Sequence, residues 1–201
     1  VCAVIAGFIS IGGIKRIASF TEKVVPIMAV LYVIGCVIIL VLNPAGLVTA
    51  IQQIFVGAFA PNAIMGGALG VTVQKAMRYG VARGLFSNEA GMGSTPHAHA
   101  TAEVAHPADQ GLVAMMGVFI DTFVVLTMTG LVVISTLYAG GGPLAAGAAE
   151  GISKTNMAQL AFSTVFGSGF GNAFVAICLL FFAFSTIISW NLFGKINVEY
   201  L

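Results

Sequence analysis

The sequence predicts an all-α integral membrane protein, and three observations lead to that fold class. Hydrophobic residues make up 59% of the 201 residues, and charged residues only 7%. The mean hydropathy is +1.04. The apolar residues form runs long enough to cross a bilayer, which takes about 20 residues of helix. A soluble domain carries about 25% charged residues, so this chain has too few charges to cover a water-exposed surface.

The first part of the chain is predicted to contain two spans with a charged loop between them. Residues 1–13 complete one span, and Gly12–Lys23 forms the loop. Val24–Leu42 is an almost purely apolar run of spanning length. Pro26 lies in its first turn, where a missing N–H is of little consequence. Asn43–Gly46 then predicts a turn.

The next segment is predicted to be a helix that breaks. Leu47–Phe59 has its polar positions spaced as in a short amphipathic helix lying at the surface. Residues 51 to about 80 are too polar and too rich in glycine for an ordinary span, which favours a discontinuous helix with its break near Pro61–Gly67. The alternative is a continuous helix whose glycines allow close packing on a neighbour.

Two further spans are predicted after the polar centre of the chain. Gly111–Leu137 is an apolar run interrupted by one aspartate and several threonines, and residues 138–156 form a glycine-rich loop. Met157–Phe166 is predicted to be a second surface helix. Phe170–Phe193 is the last span, and Gly194 is expected to close it.

Positive charge predicts the orientation, because lysine and arginine concentrate in cytoplasmic loops. If the first charged loop is cytoplasmic, alternation of the spans leaves only Lys154 outside and puts residues 83–110 in the cytoplasm, with the two surface helices outside. The expected location is the cell membrane. The other seven of the eight basic residues then face the cytoplasm, namely Lys15, Arg16, Lys23, Lys75, Arg78, Arg83 and Lys195.

The polar stretch from Arg83 to Pro107 lies between apolar runs and carries all three histidines. Arg83 and Glu89 are close enough in sequence to pair. One interpretation is a cytoplasmic gate or coupling element, in which Ser87, Asn88 and Glu89 exchange hydrogen bonds as the helices move. The other is a well-capped loop at the membrane edge. Residue types alone leave the two interpretations equally open.

Metal and catalytic sites find little support. On a helix, His97 and His99 would point about 200° apart, so they could not bind one ion from a single face. The three cysteines lie in apolar runs without metal-ligand spacing and are expected to be buried small hydrophobes. Ser94, His97 and Asp109 have the residue types of a hydrolase triad, but no Gly-x-Ser-x-Gly motif is present. We therefore expect no enzyme and no catalytic residue.

Two polar features lie within predicted spans. Asp121 would be costly if it were ionised at the midplane, so it is expected to pair, to be protonated or to face a wet cavity, with a gating or structural role favoured. Ser185 and Thr186 provide adjacent hydroxyls that suit a weakly bound cation such as sodium, and Trp190 follows one turn later. The alternative is that the hydroxyls bond to carbonyls of their own helix and that Trp190 is an interfacial anchor.

Several segments resemble one family. Arg83–Ser94, RGLFSNEAGMGS, followed by Pro96 and His99-Ala100, is similar to the most recognisable stretch of the alanine or glycine:cation symporters, the sodium:alanine symporter family. Other matching segments occur in the same order, so the resemblance covers essentially the whole chain. They are Gly12–Ile17, Gly66-Gly67, Gln110-Gly111, Phe119–Thr122 and Ala183–Thr186.

This resemblance implies a fold and a set of site residues. The family uses the LeuT-type fold of two inverted repeats, each with a broken first helix, so this chain would be an interior fragment. Residues 1–43 would end the first repeat, and residues 51–201 would begin the second. Gly66 and Gly67 would line the substrate site through their backbone, with Thr186 and Trp190 contacting the amino acid. Ser185 and Thr186 would belong to a cation site completed by a helix of the first repeat.

The function that the resemblance implies is secondary active symport. Inward movement of sodium, or of another cation, would drive uptake of a small neutral amino acid such as alanine or glycine by alternating access. Sodium would be the transported cation and no cofactor is expected. The partners would be the amino acid, the bilayer and the rest of the same transporter; the net charge of +1 argues against nucleic acid. The alternative is a non-transporting or channel-like protein whose polar stretch is a structural loop.

Overall fold

A computed structural model of the chain describes residues 7, 13–59, 77–84, 93–139, 142–144 and 156–200. Within these residues the regular secondary structure is helical, in agreement with the predicted all-α class. Besides a helical segment at 77–84, the helices are α1 (Gly13–Leu42), α2 (Pro44–Phe59), α3 (Thr95–His99), α4 (Pro107–Tyr138), α5 (Met157–Phe166) and α6 (Ser168–Tyr200).

Three of the described helices are long and apolar enough to cross a membrane. They are the Thr21–Leu42 part of α1, the whole of α4 and the whole of α6. Each contains one of the predicted spans. The expected end of an earlier span at residues 1–13 and the expected break near Pro61–Gly67 lie outside the described residues, apart from Gly7 and Gly13.

Two predicted helix ends are wrong. The predicted loop Gly12–Lys23 is helical from Gly13 onward, so Pro26 lies inside α1 rather than in its first turn. Charge keeps lysine and arginine out of the bilayer but does not oppose helix formation. At the other end of the chain, α6 continues past Gly194 to Tyr200. A glycine costs a helix only about 1 kcal/mol relative to alanine, and Lys195 pairs with Glu199 one turn later at 3.6 Å.

Asn43 forms the corner between α1 and α2, and it also ties this corner to α4. The predicted turn Asn43–Gly46 is reduced to this one residue, because Pro44–Gly46 are already helical. Asn43 Oδ1 accepts a hydrogen bond from Gly46 N at 3.1 Å, which caps the start of α2. Its Nδ2 donates to Ser135 O near the end of α4, also at 3.1 Å. One side chain therefore joins α1, α2 and α4 at the same end of the bundle.

The helix α4 contains two π-helical turns that the sequence did not predict, at Ile120–Val125 and at Ile134–Tyr138. Near the second turn, Val132 O accepts hydrogen bonds from Ser135 Oγ at 3.1 Å and from Thr136 Oγ1 at 2.7 Å. Hydroxyls that bond to the preceding turn compete with the backbone for its carbonyls, and this is a local reason for the altered winding.

The core lies where α5 packs against α1, α4 and α6. Phe162 of α5 is 1% exposed. Its ring stacks on Tyr32 of α1 at a centroid distance of 5.9 Å and on Phe174 of α6 at 5.5 Å. The predicted helix Met157–Phe166 is therefore confirmed in its bounds, and one of its faces packs into the bundle, where Ala161 and Phe162 are buried.

The described part of α2 confirms the helix that was expected at Leu47–Phe59 and starts it three residues earlier, at Pro44. Its first half packs inward, with Gly46 and Ala50 buried. Apolar and polar residues from 51 to 56 are exposed alike. Those exposed apolar side chains show that the second half does not present a single apolar face to the bundle.

Contacts between the helices give their relative directions. Asn43 brings the end of α1 to the end of α4, so these two helices run the same way. Their middles are joined by the hydrogen bond between Tyr32 Oη and Thr129 Oγ1 at 2.9 Å. The helix α6 runs back, because Phe193 near its end contacts His97 just before the start of α4. These directions agree with the charge argument, in which α1 and α4 begin at the same face of the membrane and α6 ends there.

Glycine 171 supplies a stability test. A Cβ at Gly171 would lie 2.7 Å from Ser163 Cα, whereas a Cβ at Gly169 would meet nothing within 4 Å. We expect Gly171→Ala to lower the free energy of unfolding by about 1–3 kcal/mol through overpacking. Gly169→Ala, the matched control, should leave it unchanged or raise it by up to about 1 kcal/mol. Thermal unfolding of the purified full-length protein measures both, and equal melting temperatures for the two variants would contradict the α5–α6 packing.

Candidate functional site

The predicted site residues divide into those that the structure describes and those that it does not. Ser185, Thr186 and Trp190 in α6, Asp121 in α4 and Arg83 in the segment 77–84 are described. The remaining predicted residues lie outside the described part of the chain, and their roles stay predictions. They are Gly66, Gly67, Ser87, Asn88 and Glu89.

The hydroxyls of α6 bond to carbonyls of their own helix. Ser185 Oγ and Thr186 Oγ1 both donate to Phe182 O at 2.9 Å. Ser189 Oγ donates to Ser185 O at 2.9 Å. This is the arrangement that the alternative interpretation expected. Each hydroxyl oxygen keeps its lone pairs while its proton is donated, so the same oxygens can still coordinate a cation.

Trp190 lies one turn after Thr186 on the same side of α6. The indole is 52% exposed, and it packs edge-on against Phe193 at a centroid distance of 5.8 Å. Thr186 is exposed as well. The structure therefore brings a hydroxyl and a large aromatic ring together on an open face of α6, within the described part of the chain.

Asp121 lies in the first π-helical turn of α4 and is half-buried. Its carbonyl oxygen accepts a hydrogen bond from Leu126 N, five residues on. Its carboxylate forms no ion pair with Arg83 or with any other described residue. A π-turn inside a span often marks a functional position, and its coincidence with Asp121 was not visible in the sequence.

The three histidines lie close together in sequence at one end of the bundle, and each has its own partner. His97 Nδ1 donates to Ser94 O at 3.1 Å, and its ring lies 6.2 Å from that of Phe193 in α6. His106 Nδ1 accepts a hydrogen bond from Ala108 N at 3.2 Å, which caps α4. His99 Nδ1 lies 2.6 Å from Gln110 Nε2 of α4. Among the described residues no group of three or more His, Cys, Asp or Glu could hold a metal ion.

The pair of His99 and Gln110 forms part of the wall of a cavity of about 950 Å³ between α3 and α4. Sequence reasoning missed this pair, because Gln110 follows His99 by 11 residues and no periodic pattern connects them. Val118, which lies one turn before Asp121 on α4, also lines the cavity. Other lining residues are Gly93, Thr95, Pro96, Ala100, Ala102, Val104, Pro107, Gly111, Ala114 and Met115.

Comparison with known proteins identifies the family. Residues 1–201 match the sequence model of the sodium:alanine symporter family. The chain belongs to this family. Membership confirms the resemblance carried by the Arg83–Ser94 motif. The family is one of transporters, not of enzymes.

Three curated relatives show the range of similarity. An uncharacterised transporter of Haemophilus influenzae is 43% identical over 201 residues, covering 100% of this chain and 42% of its own length. A sodium/proton-dependent alanine carrier of Bacillus sp. strain PS3 is 38% identical, covering 98% of this chain and 44% of its own length. A sodium/alanine symporter of Methanococcus maripaludis is 38% identical, with 100% of this chain and 42% of the relative covered.

The chain therefore spans less than half the length of these relatives. Similarity covers all or nearly all of the chain, including the described helices and the polar stretch around α3. What it establishes is the family and membrane character of this chain.

The hydrogen bonds of α6 generate a prediction about stability. Thr186→Val removes a hydroxyl that is exposed and bonded only within its own turn, so the free energy of unfolding should change by less than about 0.5 kcal/mol. Thr129→Val leaves the buried hydroxyl of Tyr32 without its partner in α4, which should lower the free energy by about 1–3 kcal/mol. Thermal unfolding compares the two, and a larger effect at Thr186 would show that its hydroxyl is structural.

Proposed function

We propose that the protein is a secondary active symporter. It couples inward movement of sodium to uptake of a small neutral amino acid, alanine or glycine, by alternating access. The observation that carries the proposal is membership of the sodium:alanine symporter family over the whole chain. Two of the relatives are named for alanine together with sodium, or with sodium and protons.

The proposal extends to the fold of the complete transporter. We propose the LeuT-type arrangement, with residues 1–43 ending the first inverted repeat and residues 51–201 beginning the second. Three long apolar helices, of which α1 and α4 run one way and α6 the other, support a multi-pass bundle. In such folds the half-helix ends of broken helices meet substrate and ions near the midplane, which is the role proposed for Gly66 and Gly67.

The substrate and cation would meet α6 at its open polar face. We propose that Thr186 and Trp190 contact the amino acid and that the hydroxyls of Ser185 and Thr186 contribute to the cation site. The exposure of Thr186 and Trp190 supports this assignment, because side chains buried in the bundle could not reach a solute. Gating would involve Asp121 and the polar residues Arg83, Ser87, Asn88 and Glu89.

The protein would lie in the cell membrane with residues 83–110 on the cytoplasmic side. The positive-inside rule supports this orientation. The contact between α3 and the end of α6 places Lys195 at the same end of the bundle as residues 93–110. Lys195 then lies on the same side of the membrane as residues 93–110, as the orientation from the positive-inside rule requires.

Uptake of labelled alanine into proteoliposomes tests the function. With the full-length protein, an inward sodium gradient should drive saturable accumulation, and Thr186→Val should reduce it at least about tenfold by removing a ligand oxygen. Thr127→Val, another exposed threonine within a span, is the control and should leave uptake within twofold. Accumulation driven equally well by a proton gradient would remove the sodium assignment, and absence of any saturable uptake would overturn symport.

Trp190 tests the placement of the substrate. Trp190→Ala should raise the alanine concentration for half-maximal uptake about tenfold, because the amino acid loses a large apolar contact. Phe181→Ala is the matched control, since Phe181 is also exposed and lies about 180° around the helix from Trp190. An unchanged half-saturating concentration in the Trp190 variant, or an equal change in both, would move the substrate away from this face.

A further inference from the structure

The cavity between α3 and α4 is lined by apolar residues except for three polar side chains. Those polar side chains are Thr95, His99 and Gln110, and no described residue that lines the cavity is an acid, a lysine or an arginine. A fixed charge would hold an ion or a charged solute tightly. An uncharged wall with a few hydrogen-bonding groups suits a solute without net charge that must leave again.

The hydrogen bond between His99 and Gln110 leaves a hydrogen-bond donor and a hydrogen-bond acceptor of these two side chains unused. With Gln110 Nε2 donating to His99 Nδ1, the imidazole proton lies on Nε2, and Gln110 Oε1 is a free acceptor. With the carboxamide in the opposite orientation, the free donor is on Gln110 and the free acceptor is His99 Nε2. Both orientations therefore present at least one donor beside one acceptor. Neither side chain makes another hydrogen bond within the described residues.

A zwitterionic amino acid needs this combination, because its carboxylate accepts hydrogen bonds and its ammonium group donates them. From this complementarity we propose that the cavity between α3 and α4 is a second, weak binding pocket for the transported neutral amino acid, on the cytoplasmic side. The pocket holds the solute after it leaves the midplane site. This inference rests on the proposed symport and on the proposed orientation.

The pocket has a fixed wall on the side of α3. His97 points away from His99 and contacts Phe193 of α6, while its Nδ1 bonds to Ser94 O. The helix α3 therefore contacts α6 through His97 and α4 through His99. Loss of the His99–Gln110 bond would remove the polar contacts of the pocket and would leave the contact with α6 in place.

Exchange kinetics test the pocket from both sides of the membrane. Gln110→Leu keeps the approximate size of the side chain and removes its hydrogen-bonding groups. In proteoliposomes holding the full-length protein, it should raise the internal alanine concentration for half-maximal exchange about tenfold, the effect of one lost hydrogen bond. The external half-saturating concentration should stay within twofold. Equal shifts on both sides, or no shift on either, would overturn the inference.

Protection from labelling tests the pocket without using transport. Ala100 lines the cavity, whereas its neighbour Thr101, which is also exposed, does not. With the native cysteines replaced, Ala100→Cys should react more slowly with a water-soluble maleimide, at least about threefold, when millimolar alanine is present. Thr101→Cys is the control and should react at the same rate with and without alanine. Equal rates for Ala100→Cys would overturn the pocket even if Gln110→Leu failed to fold.

The two tests separate this inference from the proposed function. Sodium-driven uptake by the unaltered protein, combined with no protection at Ala100→Cys, would remove the second pocket and leave symport intact. Lysine or glutamate in place of alanine should not slow the labelling of Ala100→Cys, because the described lining carries no fixed charge. Equal protection by lysine and glutamate would contradict a pocket for neutral zwitterions.

Discussion

The absence of water in the bilayer is the constraint on which the rest of the structure depends. A polar group inside the hydrocarbon region needs a partner within the protein. Tyr32 meets this requirement through Thr129, and Thr129 donates in turn to Val125 O of its own helix at 2.7 Å. Asn43 does the same at the corner of α1 and α2, where both ends of its amide are used. The spans are therefore joined by hydrogen bonds between their few polar side chains and groups on neighbouring helices.

This constraint also decides where chemistry can occur. Among the described residues, two places keep hydrogen-bonding capacity that the proposals use: the open face of α6 and the cavity beside α3. The first has hydroxyl oxygens and Trp190, and the second has the spare groups of His99 and Gln110. A symporter needs a place to bind its solute and a path along which to release it. The proposals for α6 and for the cavity assign these two tasks to neighbouring places, because Phe193 contacts both Trp190 and His97 of α3.

The sequence predicted what depends on local composition and missed what depends on neighbours. Hydropathy located the three spans, and the bounds of Met157–Phe166 agree with α5. Burial of one face of that helix could not be predicted, because Phe162 is covered by residues distant in sequence. The π-turn at Asp121 and the pairing of His99 with Gln110 likewise arise from winding and packing. The charged segment before Lys23 was misread because charge marks the membrane boundary, not the helix boundary.

Charge movement is the most direct test of coupled transport. An alanine concentration jump is applied to proteoliposomes of the full-length protein on a solid-supported membrane, in sodium and then in choline. Symport of a neutral amino acid with sodium predicts that positive charge moves in the same direction as alanine. This current should appear in sodium but not in choline, and it should disappear when alanine is omitted. Equal currents in sodium and choline would contradict sodium coupling. A steady sodium current without alanine would show a channel rather than a symporter.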